Sequence, residues 1–237
     1  MKRRSTLSAV PEAASDAMVY DAVYGAVMER RVAPGTRLTE ASLCDIFGAS
    51  RAVVRLALLR LSHGRIVTLT PNRGATVSRP TVRETREVFE MRRVVEAAAM
   101  ELAAERALPR DLAALRDLVQ AEHAAFERQD LRQWFRLSCE FHVCLLGAAK
   151  NSVLNDAGHD LVTRSLLTTA LYMPPGQTSC ASHEHVELID ALAAGEGKRA
   201  ARLMGAHLLA CEARLHLTAP VPACGGSCAC STTPACR

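Results

Sequence analysis

The stretch Asp45-Ile46-Phe47-Gly48-Ala49-Ser50-Arg51-Ala52-Val53-Val54-Arg55-Leu56-Ala57-Leu58, continued by Arg65-Ile66-Val67-Thr68-Leu69-Thr70-Pro71-Asn72-Arg73-Gly74-Ala75-Thr76-Val77, decides how this chain is read. From Asp45 to Glu84 it carries seven arginines and, between those two residues, no acid, whereas the whole chain has a net charge of only +4. Gly48 suits the left-handed end of a short helix, and Ser50 suits the N-cap of the next. That next helix has its apolar stripe at Val53, Val54, Ala57, Leu58 and Leu61. Arg51 and Arg55 lie four apart and share a face that includes the helix start, the end that enters the major groove in DNA readers. A solvated surface helix is the plainer alternative, but such helices mix both charge signs and this segment does not. The β-prone runs around Pro71-Asn72-Arg73-Gly74 read as a hairpin, a wing behind a helix-turn-helix. Ser50, Arg51, Arg55, Arg73 and Gly74 are the candidate DNA contacts, with Arg73 and Gly74 at the wing tip.

Upstream, residues 16–31 form an amphipathic helix with Val19, Val23 and Val27 on one face. Thr39 caps a second short helix expected to bury Leu43, Ile46 and Phe47. Downstream of Arg79-Pro80 the pattern is helix after helix, at about 81–107, 109–128, 130–149, 151–173, 178–195 and 197–217. Short connections imply antiparallel neighbours. The expected fold is mainly α: a winged helix-turn-helix over 16–79, then an antiparallel bundle of about six helices over 80–218. A basic arm (1–15) and a Cys-rich tail (219–237) flank them, both expected to be disordered.

Hydrophobic residues make up 49% of the chain and aromatics 4%, a balance that favours helical packing over sheet sandwiches. No segment has the length and apolarity of a membrane span, and Met1-Lys2-Arg3-Arg4-Ser5 meets Pro11 and Glu12 before any apolar run, unlike an export signal. A cytoplasmic protein with reduced thiols is expected. The nine cysteines then act mostly as small buried hydrophobes rather than a disulfide framework.

Three histidines of the bundle carry a geometric argument. His185 and His207 lie equally far from the turn at Glu196, so an antiparallel helix pair sets them at one height. His142, on another helix, is the third imidazole. If all face inward they form an open three-histidine metal site; otherwise they are three unrelated histidines. His183 points away from His185 around its helix, and His63, His123, His159 and His216 suit surface positions.

The segment 50–58, with Ile66-Val67 and 71–75, resembles the winged helix of GntR-family bacterial transcription regulators. Glu90-Met91-Arg92 with Glu96, Phe141-His142 with Asn151, Glu184-His185 and His207-Leu208 resemble that family's helical effector domain, FCD, and six helices resemble its VanR-like branch. The resemblance spans about residues 17–217. It implies a homodimer on palindromic double-stranded operator DNA, acting more often as a repressor, with residues 50–63 as recognition helix. It also implies that residues 92, 142, 185 and 207 line a cavity. There the histidines hold a divalent metal, zinc first and nickel or another transition ion as alternatives, and the metal helps bind a small carboxylate effector. Arg92 is then an anion contact or an interhelical ion pair.

Three departures from that family pattern stand out. Ala52-Val53 replaces Thr-Pro, Leu56 replaces Glu, and Ser138 stands where the family has a metal-binding Asp. Three neutral histidines without that Asp leave a divalent site at +2 and favour an anionic ligand, with Ser138 beside it. Cys139 is a candidate fourth ligand; a site closed by water or effector and a metal-free pocket are the other arrangements. Cys224, Cys228, Cys230 and Cys236 match no standard zinc module and suggest either inert thiols or a thiol or metal switch. A zinc hydrolase is a distant alternative, since no His-Glu-x-x-His motif is present and Glu140 and Glu184 are expected to point elsewhere.

Overall fold

The computed structural model describes residues 14–71, 73–174 and 182–217. The basic arm to residue 13 and the tail beyond residue 217, with its four cysteines, lie outside the described residues. The N-terminal unit contains α1 (Asp16–Met28), β1 (Arg37–Leu38), α2 (Glu40–Phe47), α3 (Arg51–His63), β2 (Val67–Thr70) and β3 (Gly74–Val77). Ser15, Thr39 and Ser50 cap the three helices through side-chain oxygens that accept from Met18, Ser42 and Val53 backbone N–H groups. Gly48 ends α2 with φ 61°, the left-handed turn that glycine tolerates.

The sheet is antiparallel in the order β1-β3-β2. β1 is absent from the sequence reading, because two residues are too few to display an alternation. Ile46 also differs from expectation: it is 68% exposed, while Leu43 of the same helix is buried. Two turns of helix have room for only a narrow buried stripe, and Leu43 takes it. Val19, Val23 and Val27 of α1 are buried as expected, packed in one cluster with Val54, Leu58 and Leu61 of α3.

The C-terminal unit has the expected six helices among the described residues: α4 (Val82–Arg106), α5 (Pro109–Glu127), α6 (Leu131–Ala148), α7 (Ser152–Tyr172), α8 (Ser182–Ala193) and α9 (Gly197–Ala213). Thr81 and Glu84 form a capping box that starts α4 directly after Pro80: Glu84 accepts from the Thr81 N–H at 2.7 Å, and Thr81 Oγ1 from the Glu84 N–H at 3.1 Å.

The two units share a core. The cluster that fills the winged helix continues into Phe89, Trp134, Leu137, Leu167, Leu171 and Leu215. A second cluster, including Met100, Leu115, Phe141, Leu145, Leu188, Met204 and Leu208, fills the far end of the bundle. Along α4, α6, α7 and α9 a layer of buried polar residues lies between these clusters: Arg92, Glu96, Ser138, His142, Ser165 and His207. Buried polar groups are tolerable when they satisfy one another, and here they form a connected network.

Candidate functional site

The acid-free window hides its counter-charges, because the acids come from outside it. Arg60 of α3 bonds Asp16 of α1 at 2.7 Å and lies 4.6 Å over the Tyr20 ring, so it fastens α1 to α3. Arg83 pairs with Glu87 at 3.8 Å. Arg55 is held by Glu40 of α2, whose two oxygens accept from Nε at 2.9 and 3.0 Å. That bond is the main influence holding the Glu40 carboxyl below its ordinary range. It engages Nε and leaves the terminal amino groups of Arg55 pointed from a fixed stem. Arg51 and Arg73 are exposed, and among the described residues neither forms an ion pair. Gly74 corrects the sequence reading. It is buried, with φ 86°, and a Cβ there would come within 2.2 Å of the Leu38 carbonyl oxygen. Its part is to let β1 close over the wing, while Arg73 beside it faces outward. Ser50 is exposed at the start of α3, where its hydroxyl serves as the cap.

In the bundle the three histidines meet. Ring centroids of His142, His185 and His207 are 4.9 to 5.4 Å apart. One ligand nitrogen from each lies within 4.8 Å of the others, and all three residues are buried. His142 Nε2 and His207 Nε2 are 3.3 Å apart. His183 and the four other histidines assigned to the surface are exposed.

Each Nδ1 is tied to its own carboxylate: His142 to Glu96 at 2.6 Å, His185 to Glu122 at 2.8 Å and His207 to Glu184 at 2.8 Å. The sequence reading found none of these pairings and expected Glu184 to point elsewhere. Glu184 instead bridges His207 and Arg214, the latter at 2.9 Å. Only the Arg92–Glu96 pair within α4 had a local signal, a spacing of four residues at which helical side chains meet; the histidine pairings join different helices and had none.

The electrostatics keep His142 in the form a metal requires. Burial is the largest influence on His142 and pushes its imidazole down to about 3, with Glu96 pulling the other way. Burial would raise the Glu96 carboxyl, but Arg92 and His142 outweigh it and hold it at about 2. A neutral imidazole that donates Nδ1–H to a carboxylate presents a basic Nε2 lone pair. Three such nitrogens converging on one point fit a divalent transition ion.

Beside the histidines lies a cavity of about 20 Å³, lined by Arg92, Ser138, Cys139, His142, Ser165 and Cys211 among others. Arg92 forms an ion pair, but within α4 and not between helices as the sequence reading allowed. Its Nε donates to Glu96 at 2.6 Å and its Nη1 to Ser165 at 3.0 Å, while Nη2 is buried with no hydrogen-bond partner among the described residues. Cys139 lines this cavity, but it is not in the group of converging ligand atoms. A second sulfur, that of Cys211, lies 3.6 Å from His207 Nε2. The sequence reading had treated Cys211 only as a buried hydrophobe, although it lies four residues from His207 on the same helix.

The two units are physically joined. The Arg30 guanidinium donates to the carbonyls of Ala170 and Met173 at the end of α7. The Tyr172 hydroxyl donates to the Pro80 carbonyl at 2.8 Å. Among the described residues no helix is long and apolar enough to cross a membrane.

Comparison with known proteins agrees with this architecture. Residues 16–77 match the bacterial regulatory proteins of the gntR family, and residues 87–210 match the FCD domain. The HTH-type transcriptional repressor RspR of Escherichia coli K12 is 26% identical over 180 residues, 75% of this chain and 78% of its own. The HTH-type transcriptional regulator McbR of the same organism is 31% identical over 121 residues, 51% of this chain and 55% of its own. Among solved structures, E. coli McbR/YncC aligns with a TM-score of 0.68 at 23% identity, covering 82% of this chain and 93% of that one. A GntR regulator from Rhodococcus sp. RHA1 aligns with a TM-score of 0.68 at 24% identity, covering 84% and 96%. With a reading head over α1–β3 and an FCD domain over more than half its length, the chain belongs to the GntR family of DNA-binding transcription regulators and is not an enzyme.

Proposed function

We propose that this regulator is a homodimeric repressor whose grip on operator DNA is set by a small carboxylate bound beside a divalent metal. His142, His185 and His207 hold the metal through their Nε2 atoms. Arg92 and Ser138 receive the acid. The observation that carries this reading is the histidine trio itself, with each Nδ1 anchored on a separate buried or half-buried carboxylate and each ring thereby turned inward. Such carboxylate–histidine pairs are how proteins orient metal ligands. The buried, unengaged Nη2 of Arg92 supports the acid. Six helices in the bundle support the VanR-like branch.

A cavity of about 20 Å³ holds one water-sized group. A carboxylate therefore enters only by moving α4, α6 or α7 apart. That movement favours one arrangement of the two reading heads over another, and DNA affinity falls when their spacing no longer matches successive grooves. The zinc-hydrolase alternative has no support, because the carboxylates nearest the metal point are taken up by histidine Nδ1 atoms and none is placed as a base.

Elemental analysis of the purified protein, with and without chelator, tests the metal. One ion per chain is expected, lost in His142→Ala. A thermal-shift screen of small organic acids, with and without zinc, tests the effector; stabilisation that needs both acid and metal is expected. A protein that binds no transition ion overturns the proposal.

A further inference from the structure

Ser138 leaves this site without the negatively charged ligand that a buried divalent ion favours. We infer that Cys211 supplies it, as a thiolate fourth ligand that closes a tetrahedral three-nitrogen, one-sulfur centre. This inference rests on the metal reading above. Three observations carry it.

The first is distance. With Zn–N of about 2.0–2.1 Å and Zn–S of about 2.3 Å, a tetrahedral site has N···N edges of about 3.4 Å and N···S edges of about 3.5 Å. His142 Nε2 to His207 Nε2 is 3.3 Å, and Cys211 Sγ to His207 Nε2 is 3.6 Å. Both already match such edges.

The second is direction. The sulfur approaches Nε2 of His207, the nitrogen that faces the other imidazoles, and not Nδ1, which Glu184 occupies. The spacing of four residues on α9 keeps His207 and Cys211 on one face through any small movement of that helix.

The third is charge. A divalent ion on three neutral histidines carries +2, offset only indirectly by Glu96, Glu122 and Glu184, which sit behind the rings on Nδ1 and not on the metal; the Arg92 guanidinium, paired with Glu96, lies in the same layer. Ligation by sulfur with loss of the thiol proton to solvent brings the centre to +1 and places the anion beside Arg92 in their shared cavity. A soft donor also narrows the choice of ion toward zinc and away from harder, oxygen-preferring cations. Cys211 Sγ meets His207 Nε2 but does not lie within 4.8 Å of all three histidine nitrogens, so closing the centre requires the sulfur to move toward the other two rings. With four protein ligands the centre is closed, as structural zinc sites are. An acid that binds the metal then displaces the thiolate.

The test uses the full-length protein loaded with one equivalent of cobalt(II). Visible ligand-field bands report binding, and near-ultraviolet sulfur-to-cobalt charge transfer reports a thiolate ligand. Charge transfer is expected in the wild type, in Cys139→Ser and in a variant with the four tail cysteines changed to serine. In Cys211→Ser it should vanish while the ligand-field bands persist. Charge transfer that survives Cys211→Ser, or is absent from wild-type protein that binds cobalt, overturns the Cys211 assignment and leaves the histidine centre standing. Ligand-field bands absent throughout overturn both. Should Cys211→Ser not fold, zinc X-ray absorption decides on the full chain with Cys139 and the tail cysteines as serine. One sulfur at about 2.3 Å supports the assignment, and a shell of nitrogen and oxygen alone refutes it.

Discussion

Arg92 donates from Nη1 to Ser165 Oγ at 3.0 Å, and this bond ties α4 to α7 beside the histidine trio. Further along, at the end of α7 and its C-cap, the carbonyls of Ala170 and Met173 accept from Arg30 of the winged helix. An acid taken by the unengaged Nη2 would pull on the same guanidinium that Nη1 ties to Ser165, so the far end of α7 is where the reading head would register the change. Arg30→Ala should leave operator binding by the effector-free protein nearly intact and shrink the difference made by effector by about 0.5–2 kcal/mol. Operator titrations with and without acid measure this, and an unchanged difference would remove α7 from the path.

The recognition helix gives a second prediction. Arg51→Ala should cost about 1–3 kcal/mol of operator affinity if the arginine reads a guanine. Arg55 is oriented by Glu40, so Glu40→Gln should loosen discrimination between operator and random duplex more than it changes binding to random duplex. Fluorescence anisotropy across a salt series checks both. The slope against log salt should be steep, as phosphate contacts demand, and Glu40→Gln without effect on discrimination would show that Arg55 needs no such hold.

The second layer of carboxylates is testable apart from the ligands. Glu122 and His185 are both fully buried, 2.8 Å apart. Glu122→Gln keeps the shape but weakens the hold on Nδ1–H, and should reduce metal affinity roughly 10–100-fold. Competition with a chromophoric chelator reads this out. Wild-type affinity would mean that His185 is oriented by packing against Phe141, whose ring stacks 4.0 Å away, and not by Glu122.

Acidification should destabilise the metal-free protein in two stages. Folded His142 is pushed down to about 3 from an ordinary 6.5, so the unfolded chain takes up its proton first. The stability this represents is complete above 6.5 and lost as pH falls toward 3. Glu96, held at about 2 against an ordinary 4.5, adds a further loss between those values. Urea midpoints of chelator-treated protein should therefore fall as pH drops from about 6.5, and less so in His142→Asn. A midpoint constant over that range would contradict the buried, neutral histidine.

Much of the architecture was legible because it is written in local periodicity. Ser50, Thr39 and Gly48 mark helix ends through chemistry confined to a few residues, and the six long helices of the bundle show their stripes over many turns. The meeting of His185 and His207 was legible too, since a short turn fixes the register of an antiparallel pair. What stayed hidden depends on rotation and distance in three dimensions. Glu40 lies outside the arginine-rich window, yet α2 brings it to Arg55. Glu122 lies 63 residues from His185 in sequence. Cys211 lies against His207 Nε2, a contact that depends on the rotation of α9 and so on packing, which sequence spacing alone does not display. Gly74 was read for its neighbour's charge, when its own reason is the Leu38 carbonyl above it.

The capping box at Thr81 and Glu84 has a mechanical consequence. It launches α4 at the last residue of the linker, and the same unbroken 25-residue rod carries Arg92 and Glu96 near its middle. At 1.5 Å per residue the rod is about 37 Å long, with no proline or glycine inside it to absorb a twist. On the effector reading proposed above, a torque applied near Arg92 would reach the start of α4 with no break in the rod, making that helix a lever between the bundle and the winged helix.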